Sequence, residues 1–212
     1  MRSIRLTLLL LVVALGGATA ASGHALPREL APVADAVLLR SPAALRVRFN
    51  ETVAGDASSL VLVDRTGIVR SGPAVVDGPV VRAPVLGALP HGRYAWWWSV
   101  TSADGHRVVS ASAFAIGVRT PPARPVRVRI GRRVLRLSGL RVGMRTLRLW
   151  GGLQDGTVEW RLPRLLAPLR WTFAAGRARG MLPFAGTYEV VVRADVGEFG
   201  QQLAVGTIRI TT

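Results

Sequence analysis

The sequence predicts an all-β protein composed of two Ig-like antiparallel β-sandwich domains. Three observations support this fold class. Strand-length apolar runs recur at short intervals, and clusters of Gly, Pro, Asp and Ser separate them. No long segment keeps the period of a helix. A proline-rich segment at 118–125 divides the strand-rich sequence into two blocks, each of a length that suits one small sandwich.

The first element along the chain is a predicted signal peptide at 1–23. Two arginines form a basic start, 6–15 is an apolar run, and small residues follow. The run is too short to span a bilayer comfortably. Cleavage is predicted either before His24 or before Ala21, and only the first site leaves His24 with a free α-amine. The mature protein is therefore expected in the periplasm or elsewhere in the cell envelope, or secreted.

The first block, 24–117, is predicted to form the first sandwich. Alternation is plainest at 93–101, where Tyr94, Trp96 and Trp98 share one face. One face of this strand is therefore expected to be core. The predicted strands of the block are 36–40, 45–49, 60–64, 80–83, 93–101 and 108–116.

A predicted linker, 118–125, separates the blocks, because its prolines remove backbone donors and favour extended geometry. The second block, 126–212, is again rich in strands, and it shows no detectable repeat of the first. We expect a second β-sandwich-like domain that serves in docking or spacing. Its predicted strands are 126–130, 134–137, 146–150, 157–162, 169–173, 187–194 and 203–210.

The composition excludes some chemistry and points to certain partners. Cysteine is absent, so neither disulfides nor thiolate metal sites exist. All 28 basic residues are arginine and the net charge is +16. Residues 24–117 hold nine arginines against seven acids, whereas 118–212 hold seventeen against five. An exported basic domain meets anionic lipids and cell-wall polymers, so we predict an anionic envelope surface as partner and no nucleic acid. The alternative is that the arginines only solvate exposed strand faces.

Three residues of the first block suggest a metal site. His24 would offer an imidazole and, after cleavage before it, an amine, while Asp104 and His106 offer a carboxylate and a second imidazole. Nitrogen-rich sets with one oxygen suit tetragonal Cu(II). Asp104 and His106 are two apart, which places them on one side of an extended strand.

A second interpretation of the same residues needs no metal. The pair Asp104 and Gly105 is a strong signal for a two-residue hairpin turn between the tryptophan strand and 108–116. The two interpretations are compatible, because ligands are often carried on hairpin tips.

The first block resembles the CopC copper-resistance proteins, which are small periplasmic β-sandwiches. The resemblance covers about 24–117, and its most specific part is the Ser-Ala-Asp-Gly-His motif. The segments that carry it are His24-Ala25, 32–36, 45–53, 89–94, Trp98, 102–106 and 114–116. Departures from the family pattern are Val33-Ala34-Asp35 in place of a Gly-containing turn, and Asn50 and Thr52 in place of Ser and Pro.

The resemblance implies a set of site residues. His24 would bind Cu(II) through its amine and imidazole nitrogens, and Asp104 and His106 would complete the site. Glu51 matches a family acid close to the copper and would polarise or hydrogen-bond a ligand. The methionine-rich Cu(I) site of some relatives is missing, since both methionines of the mature chain lie in the second block. The resemblance therefore implies one Cu(II) site only.

These observations favour an exported copper-binding protein that is not an enzyme. It would serve copper homeostasis by sequestration, resistance or delivery to a CopD-like membrane permease. One alternative is a copper monooxygenase with a histidine brace, although Asp104 would then occupy a position that oxygen chemistry needs open. The other alternative is a metal-free Ig-like interaction module.

Overall fold

The computed structural model describes residues 24–118, 126–131, 134–136, 139–150, 155–194 and 201–212. Within these residues the chain forms sixteen strands, and the predicted all-β fold class is confirmed. None of them lies in a helix with the length and apolar character needed to cross a membrane. The predicted signal peptide, 1–23, and all but the first residue of the predicted linker lie outside the described residues.

The N-terminal half, residues 24–118, is a sandwich of two sheets. One sheet has the order β1-β3-β6-β5, and the facing sheet contains β4-β7-β8 with β2 added in parallel to β8. The strands are β1 (Pro27–Ala31), β2 (Val37–Leu38), β3 (Ala44–Phe49), β4 (Ala54–Val63), β5 (Val75–Asp77), β6 (Val80–Pro84), β7 (Gly92–Thr101) and β8 (Arg107–Ile116).

The core of this sandwich is built by strict alternation. On β7 the side chains of Tyr94, Trp96, Trp98 and Val100 are buried against β3 and β6, as the pattern of the strand predicted. On β3, Leu45, Val47 and Phe49 alternate in the same way with arginines that face outwards. The core members of the sandwich are Ala25, Leu45, Val47, Phe49, Val53, Leu60, Leu62, Val81, Ala83, Leu89, Tyr94, Trp96, Trp98, Val100, Phe114 and Ile116.

The C-terminal half, residues 126–212, contains the other eight strands that the structure describes. Its longer ladders run in the orders β13-β12-β15-β16 and β14-β11-β9-β10, and only short pairings of β13 with β14 and of β10 with β16 join them. The strands are β9 (Val126–Gly131), β10 (Val134–Arg136), β11 (Gly143–Trp150), β12 (Gly156–Arg161), β13 (Leu169–Ala174), β14 (Arg177–Leu182), β15 (Gly186–Ala194) and β16 (Gln201–Ile210).

The two halves share one hydrophobic cluster. Ala95 and Trp97, on the second face of β7, belong to the same cluster as Trp160, Trp171 and Phe173 of the C-terminal half. A single parallel pair joins β8 to β13. The second face of the β4-β7-β8 sheet is therefore buried as well, although the alternation of β7 had indicated one core face. The covering layer is the other half of the chain.

Most strand pairs are antiparallel, as predicted, and four are parallel: β2 with β8, β9 with β11, β10 with β16, and β8 with β13. The thirteen predicted strands all correspond to observed ones. Three observed strands, β1, β5 and β14, were not predicted. β1 begins with a proline and carries two charged residues, β5 is three residues long, and the sequence RARGML of β14 has too little alternation.

Candidate metal centre

The tip of the β7–β8 hairpin carries two of the predicted ligands. Beyond the pair of Thr101 with Arg107, the Ser102 N–H donates to the His106 carbonyl at 2.9 Å, and the Gly105 N–H donates to the Ser102 carbonyl at 2.9 Å. Gly105 has a φ of 84°, which glycine adopts without strain. The loop is therefore one residue longer than the predicted two-residue turn. The turn, and not an extended strand, brings Asp104 and His106 to the same side.

Asp104 is held by the loop that contains it. Its Oδ1 accepts from the His106 N–H at 3.1 Å and contacts the Ser102 hydroxyl, and its Oδ2 lies 2.9 Å from His106 Nδ1. The Ser102 hydroxyl and then the His106 side chain hold the pKa of Asp104 well below its usual range. The carboxylate is consequently ionised and pre-oriented towards the imidazole at neutral pH.

The start of the described chain reaches the same tip. Ala25 is fully buried in the sandwich core, and the Leu26 N–H donates to Asn50 Oδ1 at 2.6 Å while the Asn50 N–H donates to the Leu26 carbonyl at 3.0 Å. These contacts leave His24 beside the hairpin, with its Nδ1 3.7 Å from Asp104 Oδ2. The His24 and His106 rings stack, with centroids 5.2 Å apart and an interplanar angle of 22°.

The structure thus brings all three predicted ligands together. One candidate ligand atom from each of His24, Asp104 and His106 lies within 4.8 Å of the others. The two imidazole side chains are 63% and 67% exposed, whereas the Asp104 side chain is 28% exposed. Two imidazole nitrogens and one carboxylate oxygen form a donor set that can hold a divalent transition metal, and the exposure of the rings leaves the cluster open to solvent.

Glu51 lies beside the cluster without joining it. Its Oε1 accepts from the Ala103 N–H at 3.4 Å, so the carboxylate contacts the backbone of the loop and not a ligand ring. Glu51 is the second residue after the end of β3, at the same end of the sandwich as the hairpin tip. The contact can orient the loop that carries Asp104.

Two positions take roles that the sequence did not indicate. Asn50 is the residue that ties the N-terminal segment to β3, although the sequence marked it only as a departure from the family pattern. Ser102, which is buried, supports both the Asp104 carboxylate and the His106 carbonyl. The remaining histidine, His91, is exposed and lies beside Gly117 at the opposite end of β7.

The comparisons agree with the resemblance noted in the sequence. Residues 28–117 match the family model described as the CopC domain. CopC from Methylosinus trichosporium OB3b is 25% identical over 44% of this chain and 93% of its own, with a TM-score of 0.42. PcoC, a copper resistance protein from Escherichia coli, is 21% identical over 43% of this chain and 98% of its own, with a TM-score of 0.37.

A longer stretch of the chain matches other β proteins. The fibronectin(III)-like modules of Clostridium thermocellum CbhA are 12% identical over 87% of this chain and 93% of theirs, with a TM-score of 0.28. No curated protein matches the chain.

Proposed function

We propose that this protein binds one Cu(II) ion at the centre formed by His24, Asp104 and His106. The observation that carries the proposal is the convergence of two imidazoles and a carboxylate within 4.8 Å at an exposed hairpin tip. Copper stands highest among the divalent first-row metals in affinity for such sites. The CopC domain at 28–117, and relatives whose names state copper resistance, support the same metal.

The α-nitrogen of His24 is proposed as a fourth donor. It becomes a free amine if 1–23 is a signal peptide that is cleaved before His24. The amine and imidazole of one residue can close a chelate ring on a metal, and the anchoring of Ala25 and Leu26 keeps that residue beside Asp104. Intact mass of the exported protein tests the cleavage. A chain that begins at Ala21 would lack this donor.

The proposed role is holding and passing copper, not catalysis. The Asp104 Oδ2 lies 3.7 Å from His24 Nδ1 and 2.9 Å from His106 Nδ1, so on a copper ion held by both imidazoles the carboxylate would take a position that a copper oxygenase needs open for oxygen. The exposed rings suit transfer to a CopD-like membrane permease or sequestration in a periplasmic or envelope location.

We propose the domain limits 24–117 and 126–212, joined by 118–125, with the arginine-rich second domain directed to an anionic envelope surface.

Copper titration of single variants tests the site. His24→Ala, Asp104→Asn and His106→Ala should each weaken Cu(II) binding by more than the roughly 10-fold to 100-fold that loss of a residue outside the ligand set costs. Glu51→Gln should fall within that lower range. His91→Ala is the matched control and should bind one equivalent unchanged. Calorimetry gives the affinity, and paramagnetic resonance of the bound ion reports nitrogen coordination. Equal loss in the His91 variant, or no stoichiometric nitrogen-coordinated centre, would refute the proposal.

The alternatives predict different results in the same preparation. A metal-free interaction module would melt at the same temperature with and without copper, whereas a tight site adds about 4 kcal/mol at a thousandfold excess over Kd. A monooxygenase would produce hydrogen peroxide rapidly with ascorbate.

Binding should weaken as the pH falls, because imidazole must lose its proton before it binds metal.

A further inference from the structure

A second polar site lies at the other end of the N-terminal half. A cleft of about 540 Å³ opens between the two halves of the chain, and five arginines line it together with Phe184. The arginines are Arg65, Arg93, Arg141, Arg145 and Arg164. Arg93 is the second residue of β7 and Thr101 is the last, so the length of the strand, about 26 Å, separates the cleft from the hairpin tip.

No acidic side chain of the described residues balances the positive charge of this cleft, which Thr212, the last residue of the sequence, also lines. No Asp or Glu lines it, and none of its five arginines forms an ion pair in the described part of the chain. Asp64, which precedes Arg65, is taken up by Arg70 and Thr66.

Glu159 in the C-terminal half shows the opposite arrangement. Its buried carboxylate is surrounded by Arg161, Arg170 and Arg193, at N···O distances of 3.0, 3.1 and 3.7 Å. Burial raises the pKa of Glu159, but the hydrogen bonds from Arg170 and Arg161 outweigh it and leave the pKa below its ordinary value. Among the described residues, the fold therefore places an acidic side chain where these three arginines meet and places none at the cleft.

The like charges at the cleft act on one another. Burial, followed by the positive charges of Arg93 and Arg141, lowers the pKa of Arg145. Burial also lowers the pKa of Arg93, whose Nε is buried without a hydrogen-bond partner among the described residues. A bound anion would relieve this repulsion and supply the missing acceptor.

Two of the guanidinium groups are already fixed in place. Arg145 donates to the carbonyls of Arg141, Val142 and Met144 at 2.8, 2.7 and 2.7 Å. Arg164 donates to the Arg65 carbonyl at 2.5 Å and lies over the Phe184 ring, 5.6 Å from its centroid. Ordering these side chains therefore costs a ligand little, because their conformations exist before it binds.

We propose that this cleft binds a multivalent phosphate-type anion held jointly by arginines of both halves. The planar guanidinium matches the geometry of phosphate oxygens and binds them in a bidentate manner. The cleft volume lies within the range of small-molecule sites, about 300–1,000 Å³, and accommodates several linked phosphate groups. This site is independent of copper binding at the hairpin tip.

Titration of the full chain with tripolyphosphate at low ionic strength tests the site. One equivalent should bind, and Arg93→Gln and Arg141→Gln should each weaken binding at least tenfold. Arg177→Gln is the matched control, since it removes the same charge at the end of β14 that is remote from the lining residues Pro183 and Phe184. The Arg141 side chain is exposed, so its variant should fold even if the Arg93 variant does not. An unchanged copper signal verifies the fold of each variant.

A parallel titration with phosphatidylglycerol vesicles in phosphatidylcholine identifies the source of the phosphate. Vesicle binding that Arg93→Gln and Arg141→Gln abolish indicates a lipid headgroup, and tripolyphosphate binding alone indicates a soluble phosphate. Both results support the cleft. No saturable binding of either probe, or equal weakening by Arg177→Gln, would overturn it, because the attraction would then be absent or spread over the surface.

Discussion

Asp35 shows how one residue can join distant parts of this chain. Its Oδ1 accepts from the Met181 N–H at 2.8 Å, and its own N–H donates to the Ala113 carbonyl at 2.8 Å. The sequence marked Asp35 only as a departure from the family turn, because no local pattern shows a partner 146 residues away. Burial raises the pKa of Asp35, and the Met181 N–H and the charge of Arg179 offset only part of that rise.

Two substitutions separate the charge of Asp35 from its hydrogen bond. A raised folded-state pKa means that ionisation of Asp35 costs stability once the pH rises above the unfolded value of about 3.9. Asp35→Asn should therefore match the wild type near pH 3 and equal or exceed its free energy of unfolding at pH 7. Asp35→Ala should lose about 1–3 kcal/mol at both pH values, because the Met181 N–H stays buried and unpaired. Urea denaturation of the apo protein measures both, and an equal loss at pH 7 would contradict the assignment.

The candidate site was predictable to the extent that its residues form a local motif. Asp104 and His106 share one loop, and His24 follows the predicted signal peptide, so the candidate donor set was evident in the sequence. The anchor at Asn50 was not evident, since it depends on the pairing of β1 with β3, and β1 lacks the pattern of a strand. The sequence therefore indicates the candidate ligands, and the fold determines which residues hold them in place.

The β7–β8 hairpin contributes to the core, to the contact between the halves and to the candidate metal site. Its strands were predicted almost to their observed bounds because the aromatic alternation is strong. Its tip was predicted as a turn but with one residue too few. The strands that escaped prediction are those whose side chains carry little apolar periodicity, and tertiary pairing alone defines them.

Glycine substitutions test whether the hairpin tip positions the ligands. Gly105 and Gly67 have φ values of 84° and 88°, and an added Cβ would meet nothing within 4 Å at either. Gly105→Ala and Gly67→Ala should each cost about 1–2 kcal/mol of stability from the left-handed backbone alone. Only Gly105→Ala should also weaken Cu(II) binding, because Gly105 lies between two ligands. Denaturation and copper titration measure both effects, and equal copper affinity in the two variants would contradict the prediction.

At the scale of the whole molecule, the two halves are not independent of each other, because they share a hydrophobic cluster. Val63, Ala95, Trp97 and Ala113 of the N-terminal half are buried in the same cluster as the core of the C-terminal half. The alternation of the tryptophan strand predicted one core face, and the sequence contained no signal for what covers the second face. That information resides in contacts between distant segments.

A charge placed in the shared cluster should uncouple the halves. Ala113 is 2% exposed, and Ala113→Glu would bury a carboxylate that has no partner there. We expect the wild type to unfold in one thermal transition and Ala113→Glu to unfold in two, by calorimetry. Ala174→Glu, at an exposed position of β13, is the control and should keep a single transition. Two transitions in the wild type would show that the shared cluster does not couple the halves.

Burial of the β7–β8 hairpin on both faces should also affect ion exchange at its tip. A strand pair packed between two layers has little room to bend, so we expect Asp104 and His106 to keep their positions. His24 lies opposite them, and the two residues that connect it to β1, Ala25 and Leu26, are anchored in the sandwich. Release of a bound ion would then start with rotation of the His24 side chain, and a recipient would first compete with the donors of that one residue.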